Sequence, residues 1–149
     1  EIYLEARRDA WVDIHGPNLP FDGARFWAEA ERCWAQDREH GVLAAMRGEE
    51  LAGVLQLDLE RYADAGGGYI PFVYMTPQCR KQGLGVQLLG QAVSVYRPLG
   101  RTFLRLRCSP ANGVAQRFYR RYGFQKTGTD PNSQVELDLL DKGIAYEQP

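Results

Sequence analysis

The stretch from Tyr69 to Val86 constrains this chain more than any other. Tyr69-Ile70-Pro71-Phe72-Val73-Tyr74-Met75 is an almost wholly apolar run of strand length, suited to burial on both faces. Pro71 has no N–H to give a ladder, so this strand is expected to bulge or to lose its partner early. Thr76 to Gly85 then supplies two basic residues and two glycines, and a helical spacing runs from about Val86 to Tyr96. Leu88, Leu89, Ala92, Val93 and Tyr96 line its inner face, and Pro98 stops it. A buried strand turning through such a loop into a helix aims free amide groups and the positive end of the helix dipole at one point. Glycines let a bulky anion come close, and Arg80 and Lys81 add charge. A phosphate group suits that point. An ordinary strand-to-helix turn with a solvated basic patch is the alternative.

The kind of phosphate ligand can be narrowed. A P-loop needs Lys and Ser or Thr directly after the second glycine, where Val86 and Gln87 stand. A dinucleotide fingerprint needs a third glycine where Leu88 lies and an acidic residue some way beyond, and neither is present.

The rest of the chain reads as one mixed α/β domain. Ile2, Ala6, Ala10 and Ile14 mark a first helix, broken at Gly16-Pro17. Asp22 is placed to cap a second, with Phe26, Ala30, Cys33 and Trp34 inward and Gly41 as its end. Val42 to Arg47 and Leu51 to Leu59 form a hairpin, with Val54, Gln56 and Asp58 on one face. Ala65 to Gly68 is a turn before the apolar strand. Thr102 to Cys108 is the next strand, and Ser109-Pro110 is placed to start a helix carrying Ala115, Phe118, Tyr119 and Tyr122, closed by Gly123. Val135 to Leu140 is a final strand. Gly90, inside a helix at a cost of about 1 kcal/mol against alanine, is expected to serve close packing.

At 149 residues the chain can bury roughly 70% of its unfolded surface. No apolar run is long enough to span a bilayer. A net charge of −1 sets up no general field for nucleic acid or anionic lipid, so neither is an expected partner. Cys33, Cys79 and Cys108 are an odd count without a CxxC pair; they read as free thiols in a reducing compartment, with no metal site, and the cytoplasm is the expected location. The chain opens Glu1-Ile2-Tyr3 without a methionine or signal peptide, as a trimmed product or a domain cut from something longer would.

A second motif lies one strand downstream of the loop. Asn112-Gly113-Val114-Ala115-Gln116-Arg117-Phe118-Tyr119 leads to Tyr122-Gly123-Phe124. Together with Arg80-Lys81-Gln82-Gly83-Leu84-Gly85 it resembles the GNAT acyltransferase superfamily, clearly over Tyr69 to Thr127 and loosely elsewhere. That family's loop has Gln or Arg, two residues, Gly, one residue, then Gly or Ala. Its later helix has Asn, Ala and an aromatic-Tyr pair, ending in Gly-Phe. The family usually opens with a strand, whereas this chain starts in helix-like sequence. That strand is absent, supplied by another segment, or lost with a truncated start.

The resemblance implies a single domain over residues 1–149 with a mostly antiparallel mixed sheet, a splayed central strand pair and flanking helices. It implies an acyl group, acetyl foremost, moved from acetyl-CoA to a primary amine of a small molecule or peptide by direct attack, and family members often dimerise. Backbone groups of Val73 and Met75 would bind the pantetheine arm. Arg80, Lys81, Gln82, Gly83, Leu84, Gly85 and Val86 would hold the pyrophosphate. Asn112 would meet the pantetheine amides or simply cap its helix, and Tyr119 would act as general acid or simply pack. Arg117, Arg120 and Arg121 form an exposed face or meet the coenzyme 3′-phosphate. The family's strand glutamate is matched by about Tyr69, and no carboxylate lies between Asp64 and Asp130. Proton removal would then fall to water held near Tyr69, or to Asp58 or Glu60, although each of these carboxylates reads more simply as a solvated charge. His15, Trp11, Trp27 and Trp34 are acceptor-pocket or structural residues. A non-catalytic acyl-CoA-binding sensor is the rival reading.

Overall fold

Alternation along the second strand creates two apolar layers on opposite faces of one sheet. The computed structural model describes residues 1–133 and 135–146. Helices α1 (Ile2–His15) and α2 (Gly23–Gln36) come first, followed by strands β1 (Val42–Arg47), β2 (Glu50–Asp58) and β3 (Gly67–Met75). Helix α3 (Leu84–Tyr96), β4 (Phe103–Cys108), α4 (Gly113–Arg121), β5 (Gln125–Thr129) and β6 (Asp138–Gly143) complete the order. The strands lie β1-β2-β3-β4-β6-β5, and β3–β4 is the parallel pair among antiparallel neighbours. On one face Leu55, Leu57, Leu104, Leu106 and Leu140 pack against α3 and α4. On the other, Val54, Phe72 and Tyr74 pack against Tyr3 and Ala6 of α1 and Phe26 and Ala30 of α2. Helix α3 lacks a polar side at most inward positions because it rests across the sheet; α2 instead has a sharp apolar stripe, capped by Asp22 accepting from the Arg25 amide at 3.1 Å.

Pro71 does what its missing donor requires. Gln56 faces Phe72 and Asp58 faces Tyr69, so two steps on β2 span three on β3, and β3 bulges at Ile70–Pro71. Pairing of β3 with β4 runs from Gly67–Phe103 to Ile70–Leu106 and stops there. The two central strands then diverge. The bulge also switches faces: Ile70 packs in the α3 layer, while Phe72 and Tyr74 turn to α1 and α2.

Several sequence expectations shift. The inner face of α1 is Tyr3, Ala6 and Arg7, and Ile2 and Ile14 are exposed, because Arg7 lies over the rings of Phe26 and Phe72 at 4.6 and 4.0 Å. Trp34 is 47% exposed rather than inward. Strand β3 starts at Gly67, earlier than expected, since Gly67 and Gly68 already pair with β4. Helix α4 is capped by Asn112, not Ser109, and the last strand is displaced to β6, with β5 unforeseen before it. Strand β5 is polar and mostly exposed, so it lacks the alternation that marks a strand.

Asp58 is the largest correction. It is 1% exposed rather than solvated. Its carboxylate accepts from Arg32 Nη2 at 2.7 Å, Gln36 Nε2 at 3.2 Å and the amides of Glu60 and Arg61, each at 3.1 Å. Burial alone would raise its pKa, but these donors outweigh it and hold the carboxyl below the usual carboxylate range. The side chain joins α2 to the turn after β2.

Candidate active site

The opening between β3 and β4 is lined by backbone on one side. Thr76 N donates to Ala52 O at 2.9 Å. Because antiparallel bonding alternates, Tyr74 and Phe72 then bond toward β2, and the backbone groups of Val73 and Met75 point away from β2, into the gap that β4 has left. The Met75 carbonyl accepts from Arg80 Nε at 3.1 Å. Val73 and Met75 side chains rest on the α3 layer.

Beyond Met75 a short 3₁₀ turn, Pro77–Cys79, leads into α3. Lys81 and Gly83 both take left-handed backbone conformations, φ 64° and 82°, which curl the loop back on itself. No side chain caps Gly83, so the first-turn amides at Leu84, Gly85 and Val86 remain for an external acceptor. Gly85 has a packing reason as well: a Cβ there would lie 2.6 Å from Phe118 Cζ and 3.0 Å from Met75 Sδ. It is the contact that lets α4 close on α3 beside the gap. Gly90, by contrast, would meet nothing within 4 Å, so the close packing expected there does not occur. Gly85→Ala is therefore expected to cost about 1–3 kcal/mol, while Gly90→Ala gains up to about 1 kcal/mol; urea unfolding of the two variants measures both.

The loop's polar side chains do not all face one point. Arg80 reaches back to α1, its Nη2 3.4 Å from Asp13, with its guanidinium 5.8 Å from the Tyr74 ring. Gln82 donates to Gln78 O at 2.8 Å and accepts from Arg47. Lys81 is exposed. Asn112 caps α4, accepting from the Ala115 amide at 3.1 Å, and is exposed at the gap's far side.

Tyr119 projects from α4 into the α3-side layer, its ring edge-on to Phe118 and Phe124 at 5.4 and 5.6 Å. Burial pushes its phenol well above the ordinary value, and the neighbouring Cys108 adds to the shift. Cys108, at the end of β4, is itself raised to about 11 by burial and by the charge of Asp138. Tyr122 stacks at a tilt on Phe118, 5.1 Å between centroids, as a packing residue would.

The opposite face of the same strands carries a group of residues that sequence reasoning largely missed. Tyr69 is 1% exposed, and its hydroxyl is buried without a hydrogen-bond partner. Tyr62 meets its ring edge-on at 5.4 Å, and the Arg61 guanidinium lies 4.7 Å above it. Arg107 Nη1 pairs with Asp130 at 2.9 Å, and Asp130 also accepts from the Asn132 amide. Those donors hold Asp130 below the usual carboxylate range against the opposing effect of its burial. The alternation Leu106, Arg107, Cys108 in β4 was the available signal: a charged residue between two core positions must face the other side of the sheet. Its partner lies beyond β5 and had no local mark. Glu60 is exposed on the turn. His15 stacks on Trp11, 4.0 Å between centroids, and Trp27 and Trp34 lie on the outer flank of α2.

Among the described residues no helix is long and apolar enough to cross a membrane. All three cysteines are free and buried.

Comparison with known proteins places this architecture. A sequence search of curated proteins returns no match. Among solved structures, a putative acyl-CoA N-acyltransferase from Klebsiella pneumoniae subsp. pneumoniae superimposes with a TM-score of 0.65 at 25% identity, over 96% of this chain and 88% of that one. The PaiA N-acetyltransferase of Thermoplasma acidophilum, solved in complex with coenzyme A, gives 0.71 at 18% identity over 95% and 90%. Nourseothricin acetyltransferase gives 0.59 at 22% identity; the match spans 65% of this chain and 60% of that protein. The acetyltransferase (GNAT) family model matches residues 6–124, from α1 through the Gly123-Phe124 end of the second motif. The splayed strands, the loop before α3 and α4 all fall inside that match, and the chain belongs to the GNAT acetyltransferase family.

Proposed function

We propose that this chain is an N-acetyltransferase that moves an acetyl group from acetyl-CoA to a primary amine by direct attack. The observation that carries the reading is the divergence of β3 from β4 beside the uncapped start of α3, with Tyr119 on the adjoining helix. The residues fit an acyl-CoA. Val73 and Met75 offer a strand edge that β4 has left to amide groups of a pantetheine arm, with the Met75 carbonyl shared with Arg80. Leu84, Gly85 and Val86 offer amide donors at a positive helix end to a diphosphate, with Lys81 and Gln82 beside them. Arg80 would exchange its contact with Asp13 for the same anion, and Asn112 would keep its capping bond while facing the arm.

The bound thioester supplies an activated acyl group; the protein supplies aim and proton control. Tyr119 stays protonated through neutral and alkaline pH, the state a general acid needs. A phenol so raised is a weaker acid than a free thiol of about 8.5. A thiolate leaving into a desolvated gap also becomes more basic, which lessens that mismatch.

Residues 1–149 act on this reading as one acyltransferase domain, with a small-molecule or peptide amine as acceptor, and the buried free thiols favour a cytoplasmic setting. Calorimetry with acetyl-CoA, followed by free-thiol release against a panel of peptide amines, polyamines and aminoglycosides, tests it. Saturable binding with amine-dependent thiol release is the expected result. Binding without release would make the chain an acyl-CoA sensor, and no binding to folded protein would end the reading.

A further inference from the structure

The resemblance matches the strand glutamate often found in this family to about Tyr69, so the proton of the attacking amine has no assigned destination. Tyr69 itself does not serve. Burial raises its phenol, and its buried hydroxyl has no neighbour to which a proton could pass. Two of the carboxylates near it are committed. Asp58, its cross-strand neighbour, holds four donors, and Asp130 is paired with Arg107 and bonded to the Asn132 amide. Each is fixed in its ionised form by those donors and is a poor base.

A third carboxylate comes from a different element. Glu29 lies on α2 three residues after Phe26 and four before Cys33, both of which are buried against the sheet. It is also three before Arg32 and seven before Gln36, and these two side chains reach the Asp58 carboxylate. The flank of α2 that carries Glu29 therefore faces the sheet where Asp58 and Tyr69 lie side by side. Its charge acts on Tyr69 of β3 and Arg107 of β4, and on Tyr3 of α1 and Cys33 of α2. Glu29 is partly buried, and among the described residues its carboxylate has no hydrogen bond and no ion pair. A part-buried carboxylate with no hydrogen bond or ion pair among the described residues, on the same side of the sheet as Tyr69 and across it from Tyr119, is free to receive a proton.

We infer that Glu29 is the general base of the acetyl transfer, delivered from α2 in place of a strand glutamate. The inference rests on the N-acetyltransferase reading. The amine nitrogen forms its bond to the acyl carbon and the carbon–sulfur bond breaks. The nitrogen's proton goes to the Glu29 carboxylate and then to solvent, the departing sulfur takes the Tyr119 proton, and Tyr119 recovers one from solvent. The charged groups that set the local field are Arg32, Arg61, Arg107, Asp58 and Asp130, with Tyr3, Cys33 and Tyr69 as the titratable neighbours.

The test uses the whole chain and whichever panel amine gives thiol release. Glu29→Gln is expected to lower kcat by about 10²–10⁴-fold without changing calorimetric affinity for acetyl-CoA or the melting transition. Glu29→Asp should recover part of the rate, Glu29→Ala should be rescued by added formate, and exposed Glu31→Gln serves as control. If Glu29→Gln keeps the rate while wild type turns over, the assignment is wrong and the N-acetyltransferase reading stands. If wild type binds acetyl-CoA but releases thiol with no amine, both fall.

Discussion

Tyr119→Phe should bind acetyl-CoA as wild type does and turn over about 10²–10⁴-fold more slowly. The substitution removes one oxygen and keeps the ring that packs edge-on to Phe118 and Phe124, so the fold and the proposed coenzyme contacts should survive it. On the proposed mechanism it removes the proton that Tyr119 gives to the leaving sulfur. Calorimetry and thiol release on the same preparation separate the two effects. The pH dependence sharpens the expectation. Burial first, and Cys108 second, raise the phenol above its ordinary value of about 10. Its acid form therefore persists as pH rises, and wild-type kcat should show no alkaline fall from Tyr119 below about pH 10. Unchanged kcat in Tyr119→Phe would reduce this residue to one of the packing positions on its helix, alongside Tyr122.

Asp58→Ala should lower stability by about 1–3 kcal/mol. It removes the acceptor for Arg32, Gln36 and the amides of Glu60 and Arg61 at once, and leaves those donors unpaired at a part-buried turn. The pH dependence follows from the direction of the shift. Asp58 is held below the usual range in the folded state, so the unfolded chain takes up its proton first as pH falls. Its contribution is thus fully present above the unfolded value of about 4 and is lost as pH drops through the folded value. Urea unfolding at pH 7 should separate wild type from Asp58→Ala widely, and the gap should narrow below about pH 4. An equal gap at both pH values would mean that Asp58 acts by shape and not by charge.

Much of the site was legible in the residues because its parts are local. A strand, a basic loop with two glycines and a helix within Tyr69–Tyr96 dictate where amides converge, whatever packs around them. Pro71 announced a break in pairing through the bond it cannot make. Asn112 announced a cap through its short acceptor side chain. The face of α1 was misjudged because Arg7, a charged residue, is buried by stacking on aromatic rings from other elements. Asp58 was misjudged because its partners come from a helix more than twenty residues earlier.

Sequence alone therefore determined the order of most elements, the family and the glycine-bearing turn that leads into α3, since each follows from periodicity, backbone donors and motif spacing along a short stretch of chain. Tertiary structure decided which carboxylates are already engaged and which group faces Tyr69. Pairing of charges depends on distances between α2, β3, β4 and the loop after β5, and nothing in the separation of Glu29 from Tyr69 along the chain encodes that they share one face of a sheet.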